Sequence, residues 1–530
     1  MPRANRGQVV ALEDGLFREV PLDPLTRKIC LRLNPPSLAD HLADVDRLRE
    51  SLEPLVGPVT VPLPLMRTIP EVCRKQDWVV TATVGLTGRN WDLVDLEPGD
   101  TSGRHFGLAV DIGTTTVVAY LVDMRTGGVL GAAAGYNSQV VFGEDILTRI
   151  YLAGTTDGLA RMQKSVVGTL NGLVKQLAER CAVAPEEVTA AVASGNTTMV
   201  HFLLGLDPSR ICREPYSPVV NNPGFLRAQE IGLKINPLAI LYCLPGVGSY
   251  VGGDVIAGVL VSGMHRRKEL ALFVDIGTNA EMVLGNKDWL VACAGAAGPA
   301  LEGGVARAGM RAEPGAIKSV RIDQQSRRVH YRVIGNGKPR GICGSGLVDC
   351  LAEFLLYGII DRSARFRNGR ASFTLVPAAE SATGEDITVT QVDLDNLMRT
   401  KGAVNAALET LLEGVGLGIG QIARFYAAGA FGQYLDPESA ITIGLFPDLP
   451  RERIVRLGNS SGEGARQVLL SNRKRLEAEE IVRRITYFEL NASQQFMNKF
   501  AGSKFLPHTN LDYYPTVKEK LKKRGIALDD

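Results

Sequence analysis

Two stretches of this chain carry nearly the same alternation of apolar and polar positions. FGLAVDIGTTTVVAYLVD (106–123) and LFVDIGTNAEMVLGN (272–286) each read as an apolar strand, a turn opened by Asp-Ile-Gly-Thr, and a second strand. Between the copies the period lengthens to that of a helix. Leu159, Met162, Val166, Leu170, Leu173 and Leu177 fall on one face and predict a helix over about 157–180. AAVASGNTTM (190–199) reads as a strand running into a turn, and AAGAFG (427–432) ends another strand after the second copy. The copies are too far apart for a solenoid repeat and suit duplication of a whole α/β lobe. The expected fold is therefore α/β, with two related lobes over 104–265 and 266–530, the second carrying C-terminal helices.

Upstream, Leu31–Val56 contains PPSLADHLADVDRLRESL, where Ser37 is placed to cap a helix with leucines on one face. VTVPLPLMRTIPEV and WVVTATVG resemble short strands, so 21–103 reads as a small α/β domain that ends at the turn-rich EPGDTSGR (97–104). Residues 1–20 have no period and read as a leader or linker. LSNRKRLEAEEIVRRI (470–485) reads as a charged helix with i,i+4 pairs.

Composition narrows the function classes. A chain of 530 residues exceeds one compact core, and 45% apolar with 22% charged residues is ordinary globular usage. The net charge of +2, with Lys and Arg spread along the chain, gives no electrostatic case for nucleic acid or an anionic membrane. The uncharged stretch 236–253 is interrupted by Pro237 and Pro245 and does not read as a membrane helix. The start MPRANRGQVVALEDG lacks an apolar signal core, and the 8 cysteines form no CxxC pair. Both point to reduced thiols in a cytoplasmic protein.

A strand that runs into Asp-Ile-Gly-Thr suits a polyphosphate. Gly113 and Gly277 let backbone N–H groups approach an oxyanion where a Cβ would obstruct, and successive N–H groups form an anion-binding concavity. Thr114, Thr115, Thr116 and Thr278 add hydroxyl donors, while Asp111 and Asp275 stand where a carboxylate can hold Mg²⁺ through its waters. One such turn is an ordinary hairpin signal; two in the same context point to nucleotide binding. His201 in TTMVHFLLG reads as a buried, hydrogen-bonded histidine rather than a metal ligand.

These hairpins resemble the two phosphate loops of the acetate and sugar kinase, heat-shock chaperone and actin superfamily, and AAGAFG resembles its adenosine loop. More closely, 107–508 resembles the ATPase of the reductive activators of corrinoid proteins. The matching stretches are VDIGTTTVVAYLVD, YNSQVVFGEDILTRI, SGNTTMVHFLLGLDP, VGGDVIAGVL, VDIGTNAEMVLGN, CAGAAGPALEGG and ICGSGLVD. ICLRLNPPSLADH (29–41) resembles the entry to that family's middle domain.

The resemblance implies ATP hydrolysis coupled to one-electron reduction of Co(II) to Co(I) in a corrinoid protein. It places phosphate contacts at Gly113, Thr114, Thr115, Gly277, Thr278 and Asn279, and magnesium at Asp111 and Asp275. The ribose and adenine face falls on Gly344, Ser345, Gly346, Gly429 and Gly432. Asp254 is the carboxylate expected beside the attacking water, with Asp275, Glu281 and Glu302 as further candidates. Two departures stand out. Activators of this group carry iron–sulfur domains, yet the cysteines here lack cluster spacing, so no cluster is expected in this chain and a ferredoxin-like donor is. Ala430 also stands where the family has a second glycine. Cys343 and Cys350 read as core thiols, and the family implies a homodimer. A small-molecule kinase of the same fold and an ATP-switched, chaperone-like binding protein are the rival functions.

Overall fold

The computed structural model describes residues 17–143, 145–277, 279–295, 298–429, 434–490 and 494–528. They divide into two compact bodies, one built from residues up to 260 together with 461–483, the other from 261–460 and the remainder from 484.

The first body opens with β1 (Thr26–Arg32), α1 (Asp44–Val56), β2 (Val59–Thr60), α2 (Leu63–Met66), α3 (Ile69–Lys75), β3 (Val79–Thr87) and β4 (Asn90–Pro98), whose strands order β1-β3-β4-β2. Two expectations fail here. The helix begins at Asp44, not near Ser37. The Ser37 hydroxyl accepts from Ala39 N, and Asp40 takes Leu42 N and the Arg47 guanidinium, so these side chains hold a local turn instead. VTVPLPLMRTIPEV is mostly helical, because Pro64 and Pro70 sit in first turns where a missing N–H costs nothing.

Next come β5 (Phe106–Ile112), β6 (Thr116–Asp123), β7 (Val129–Tyr136), α4 (Ile146–Ala153), α5 (Gly158–Cys181), β8 (Val188–Gly195), α6 (Thr197–Leu204), β9 (Phe225–Arg227), β10 (Ile240–Cys243) and α7 (Gly253–Ser262). They form a sheet of order β7-β6-β5-β8-β10-β9, with β5 antiparallel to β6 and parallel to β8. Helix α5 matches the expected span and buries Met162, Val166, Leu170, Leu173 and Leu177. Each such burial contributes about 1.5–3 kcal/mol, which is what fastens the helix to the sheet.

The second body holds β11 (Ala271–Ile276), β12 (Ala280–Gly285), β13 (Leu290–Gly295), β14 (Ala316–Ile322), β15 (Val329–Val333), β16 (Gly341–Ile342), α8 (Gly344–Leu356), β17 (Ser372–Val376), β18 (Ile387–Thr390), α9 (Gln391–Gly414), β19 (Arg424–Ala428), β20 (Ile454–Gly458) and β21 (Ile485–Tyr487). Its main sheet orders β20-β19-β11-β12-β13-β21, with β11 antiparallel to β12 and parallel to β19. The two large sheets share one plan. The Asp-Ile-Gly-Thr strand is central, an antiparallel meander lies on one side, and two parallel strands lie next to it on the other. The sixth strand is β9, beyond the parallel pair, in the first sheet and β21, beyond the meander, in the second.

The expected charged helix of 470–485 is present as Asn472–Arg484, and a separate helix, Ser460–Leu470, precedes it. No helix among the described residues is long and apolar enough to cross a membrane.

Candidate nucleotide site

In the first body the turn between β5 and β6 closes when Gly113 N donates to Thr116 O at 3.0 Å. A Cβ on Gly113 would lie 2.5 Å from that oxygen, so the turn itself requires glycine. Asp111, the penultimate residue of β5, pairs in register with Ser194 on β8. The Ser461 hydroxyl donates to Asp111 Oδ1 at 2.7 Å and lies 2.9 Å from Ser194 Oγ. Neither serine was marked by the sequence.

Asp254 arrives from the first turn of α7. The turn before it presses on the end of β8, since a Cβ on Gly252 would fall 2.5 Å from Asn196 Cα. Asp254 Oδ1 accepts from Val255 N at 2.9 Å. Burial holds its carboxyl well above the usual range, and the Asp111 carboxylate adds to the shift. The fold thus brings Asp111 and Asp254 together, two candidates separated widely in sequence.

His201 lies close by, fully buried. Its Nδ1 donates to Thr197 O at 2.7 Å and its Nε2 accepts from Val219 N at 3.1 Å, while burial lowers its pKa. Both ring nitrogens serve the backbone, as expected for a structural histidine.

In the second body Gly277 N donates to Asn279 O at 2.8 Å, closing the corresponding turn. Asp275 pairs across β11 and β12 with Glu281, and across β11 and β19 with Ala428. Gly429 follows at φ +79°, and a Cβ there would lie 2.4 Å from Asp275 Oδ1. The adenosine-loop glycine and the Asp275 carboxylate are therefore immediate neighbours. Among the described residues nothing lies within 4 Å of a Cβ built on Gly277. Thr278, Gly432 and the Glu302 side chain lie outside the described residues.

Gly344, Ser345 and Gly346 open α8 and are buried. Gly346 packs the helix against β14, where a Cβ would meet Ile317 O at 2.5 Å, and the Ser345 hydroxyl donates to Lys318 O at 2.8 Å. Further along the helix, the buried Asp349 and Glu353 carboxylates accept from Val320 N and Ile322 N and complete β14. Cys343 and Cys350 are buried, and burial pushes the Cys350 thiol up. Among the described residues no group of three or more His, Cys, Asp or Glu is arranged to hold a metal ion.

Comparison with known proteins decides the family. A corrinoid activation enzyme of Eubacterium limosum, RamQ, is 30% identical over 524 residues, covering 94% of this chain and 86% of that protein. The chain belongs to the family of reductive activators of corrinoid proteins. Its family models match as a linker region at 15–103, a middle region at 106–267 and the C-terminal ASKHA domain at 269–518. A solved reductive activator for a corrinoid, iron–sulfur protein superposes with a TM-score of 0.87 at 42% identity, covering 94% of this chain and 82% of that one. A Co(II) methylated amine-specific corrinoid protein reductase of Methanosarcina barkeri is 26% identical over 422 residues, 74% of this chain and 75% of that protein. In this activator family the duplicated α/β plan and the ASKHA domain expected from the hairpins are both present.

Proposed function

We propose that this activator uses ATP to return a corrinoid protein from Co(II) to Co(I), with the electron supplied by a separate ferredoxin-like donor. The observation that carries the reading is the pair of Asp-Ile-Gly-Thr turns, one on the central strand of each large sheet, in a chain that matches activators over most of its length. Thr114, Thr115, Thr116 and Asn279, with Thr278, supply donors to the phosphates, and Gly113 and Gly277 give the backbone access. Gly344–Gly346, Gly429 and Gly432 are assigned to the nucleoside, and the working units are 21–103, 104–265 and 266–530.

The donor set fits magnesium. Asp111 and Asp254 are close enough for one charge to oppose the other, a cost a divalent cation relieves. Mg²⁺ keeps most of its waters and takes one or two carboxylates with the phosphates, so two carboxylates beside the Ser461 hydroxyl suffice. Asp275 is the ligand assigned on the second sheet. When bound, Mg²⁺ offsets charge on the transferring phosphoryl group. Asp254, as the carboxylate, orients the attacking water and accepts its proton, and the raised pKa makes it a stronger base than an exposed aspartate. Glu281, opposite Asp275, is the second carboxylate for that role. We assign the protein to the cytoplasm as a homodimer.

The test is reciprocal coupling. ATP turnover is followed with and without a Co(II) corrinoid protein, and two affinities are measured: that for a non-hydrolysable ATP analogue with and without the partner, and that for the partner with and without the analogue. Both should change by the same factor if the two sites share one equilibrium. Turnover indifferent to the corrinoid protein but stimulated by a metabolite that becomes phosphorylated would give the chain to the kinases.

A further inference from the structure

The stretch between β7 and the second turn of α4 touches the first phosphate turn at three successive peptide carbonyls. Asn137, immediately after β7, donates through Nδ2 to Gly113 O at 3.1 Å. Its backbone N–H donates to Thr115 O at 2.8 Å. Between them Arg149 donates through Nη1 to Thr114 O at 2.6 Å and through Nε to Gly143 O at 2.7 Å. Both side chains are fully buried. Asn137 is itself fixed, because its Oδ1 accepts from Gln139 N at 3.1 Å.

In a trans peptide the carbonyl and the following N–H point in opposite directions. Engaging the carbonyls of Gly113, Thr114 and Thr115 on one side therefore turns the N–H groups of Thr114, Thr115 and Thr116 to the other. Asn196, the cap of α6, adds a fourth restraint by donating to Thr114 Oγ1 at 3.1 Å. That bond occupies a lone pair and leaves the hydroxyl proton of Thr114 as the group to be donated elsewhere. A buried guanidinium is costly unless it is well used.

We propose that Asn137 and Arg149 are positioning residues that hold the 113–116 turn in its anion-receiving form before nucleotide arrives. The inference deepens the ATP reading and rests on it for the identity of the anion. The brace itself is a property of the chain without ligand. Organisation in advance saves the ordering cost that binding would otherwise carry.

The experiment uses the full chain with Arg149→Met, Arg149→Lys and Asn137→Ala. Three quantities are read: amide hydrogen exchange of the peptide spanning 111–117 without nucleotide, and calorimetric affinities for ATP and for adenosine. In Arg149→Met, exchange at 111–117 should rise and ATP should bind about tenfold more weakly, the effect of about one buried hydrogen bond. Adenosine, which has no phosphate, should bind as before, and Arg149→Lys should recover part of the loss. Should Arg149→Met fail to fold, Asn137→Ala removes a neutral side chain, the donor to Gly113 O and the acceptor of Gln139 N, and makes the same test.

Folded variants with unchanged exchange at 111–117 and unchanged ATP affinity would overturn the proposal. So would equal losses for ATP and adenosine, which mark a general structural role. If the native chain binds no ATP, the nucleotide reading falls, and the exchange of 111–117 alone still decides whether the brace exists.

Discussion

The two Asp-Ile-Gly-Thr turns occupy equivalent places in sheets that share a five-strand plan, yet the residues around them do different work. Around the first, the carbonyls of Gly113, Thr114 and Thr115 are held by Asn137 and Arg149, and Gly113 is demanded by its own turn. Around the second, the space off Gly277 is open among the described residues, and the tight contact is between Asp275 and Gly429. Duplication supplied one backbone device twice. The first copy is stiffened by its own lobe, while in the second the crowding has moved to the aspartate.

The largest test of the comparison removes the aspartates. Asp111→Ala and Asp275→Ala should each lower ATP turnover by about a hundredfold or more, since aligned electrostatic groups contribute on that scale. If only one matters, the functional symmetry of the two turns is broken. Asp254→Asn comes next. A residue that orients and deprotonates water should lower kcat by about a hundredfold with KM little changed. A large rise in KM with kcat intact would make Asp254 a binding group instead.

The glycines sharpen the comparison further. Gly277→Ala should fold normally and raise the KM for ATP about tenfold, by placing a methyl group where the phosphates approach. Gly113→Ala should lower the melting temperature as well, because its Cβ meets Thr116 O. Equal melting temperatures for the two variants would erase the distinction drawn between the turns.

The smallest effect on activity is expected from pH. His105 is buried beside Thr26 in the first body, and burial lowers its pKa from 6.5 to about 4. His201 is shifted the same way. A base with a depressed folded pKa has no effect on stability above pH 6.5. Below that, the unfolded chain takes a proton that the folded chain refuses. Stability should therefore fall as pH drops from 6.5 toward 4, by on the order of 3 kcal/mol for His105. His105→Gln should flatten the dependence of the urea midpoint; an equally steep dependence would assign it to other groups.

The hairpins were legible in the sequence because strand alternation and turn chemistry agree, and because they occur twice. Helix α5 was legible for a similar reason, since its apolar face is uninterrupted. The small domain was misread where prolines fit both strand edges and helix starts, as Pro64 and Pro70 do. The surroundings of Asp111 were not legible. Ser461 comes from a helix whose first residues, Ser460, Ser461, Gly462, Glu463 and Gly464, show no apolar face. Gly464 is needed because a Cβ there would lie 2.4 Å from Ala257 Cβ, a contact no local pattern announces. The brace left one trace. Arg149 stands on the buried face of α4 beside Ile150 and Ala153, where a charge calls for a reason.

The central claim is tested most directly under anaerobic conditions. The chain is mixed with Mg²⁺, a Co(II) corrinoid protein and a low-potential one-electron donor, and the Co(I) absorption band is followed with and without ATP. The account predicts that Co(I) forms only with ATP and that the Asp275→Ala chain gives none. Co(I) forming equally without ATP, or ATP consumed while cobalt stays Co(II) with every corrinoid protein tried, would contradict it.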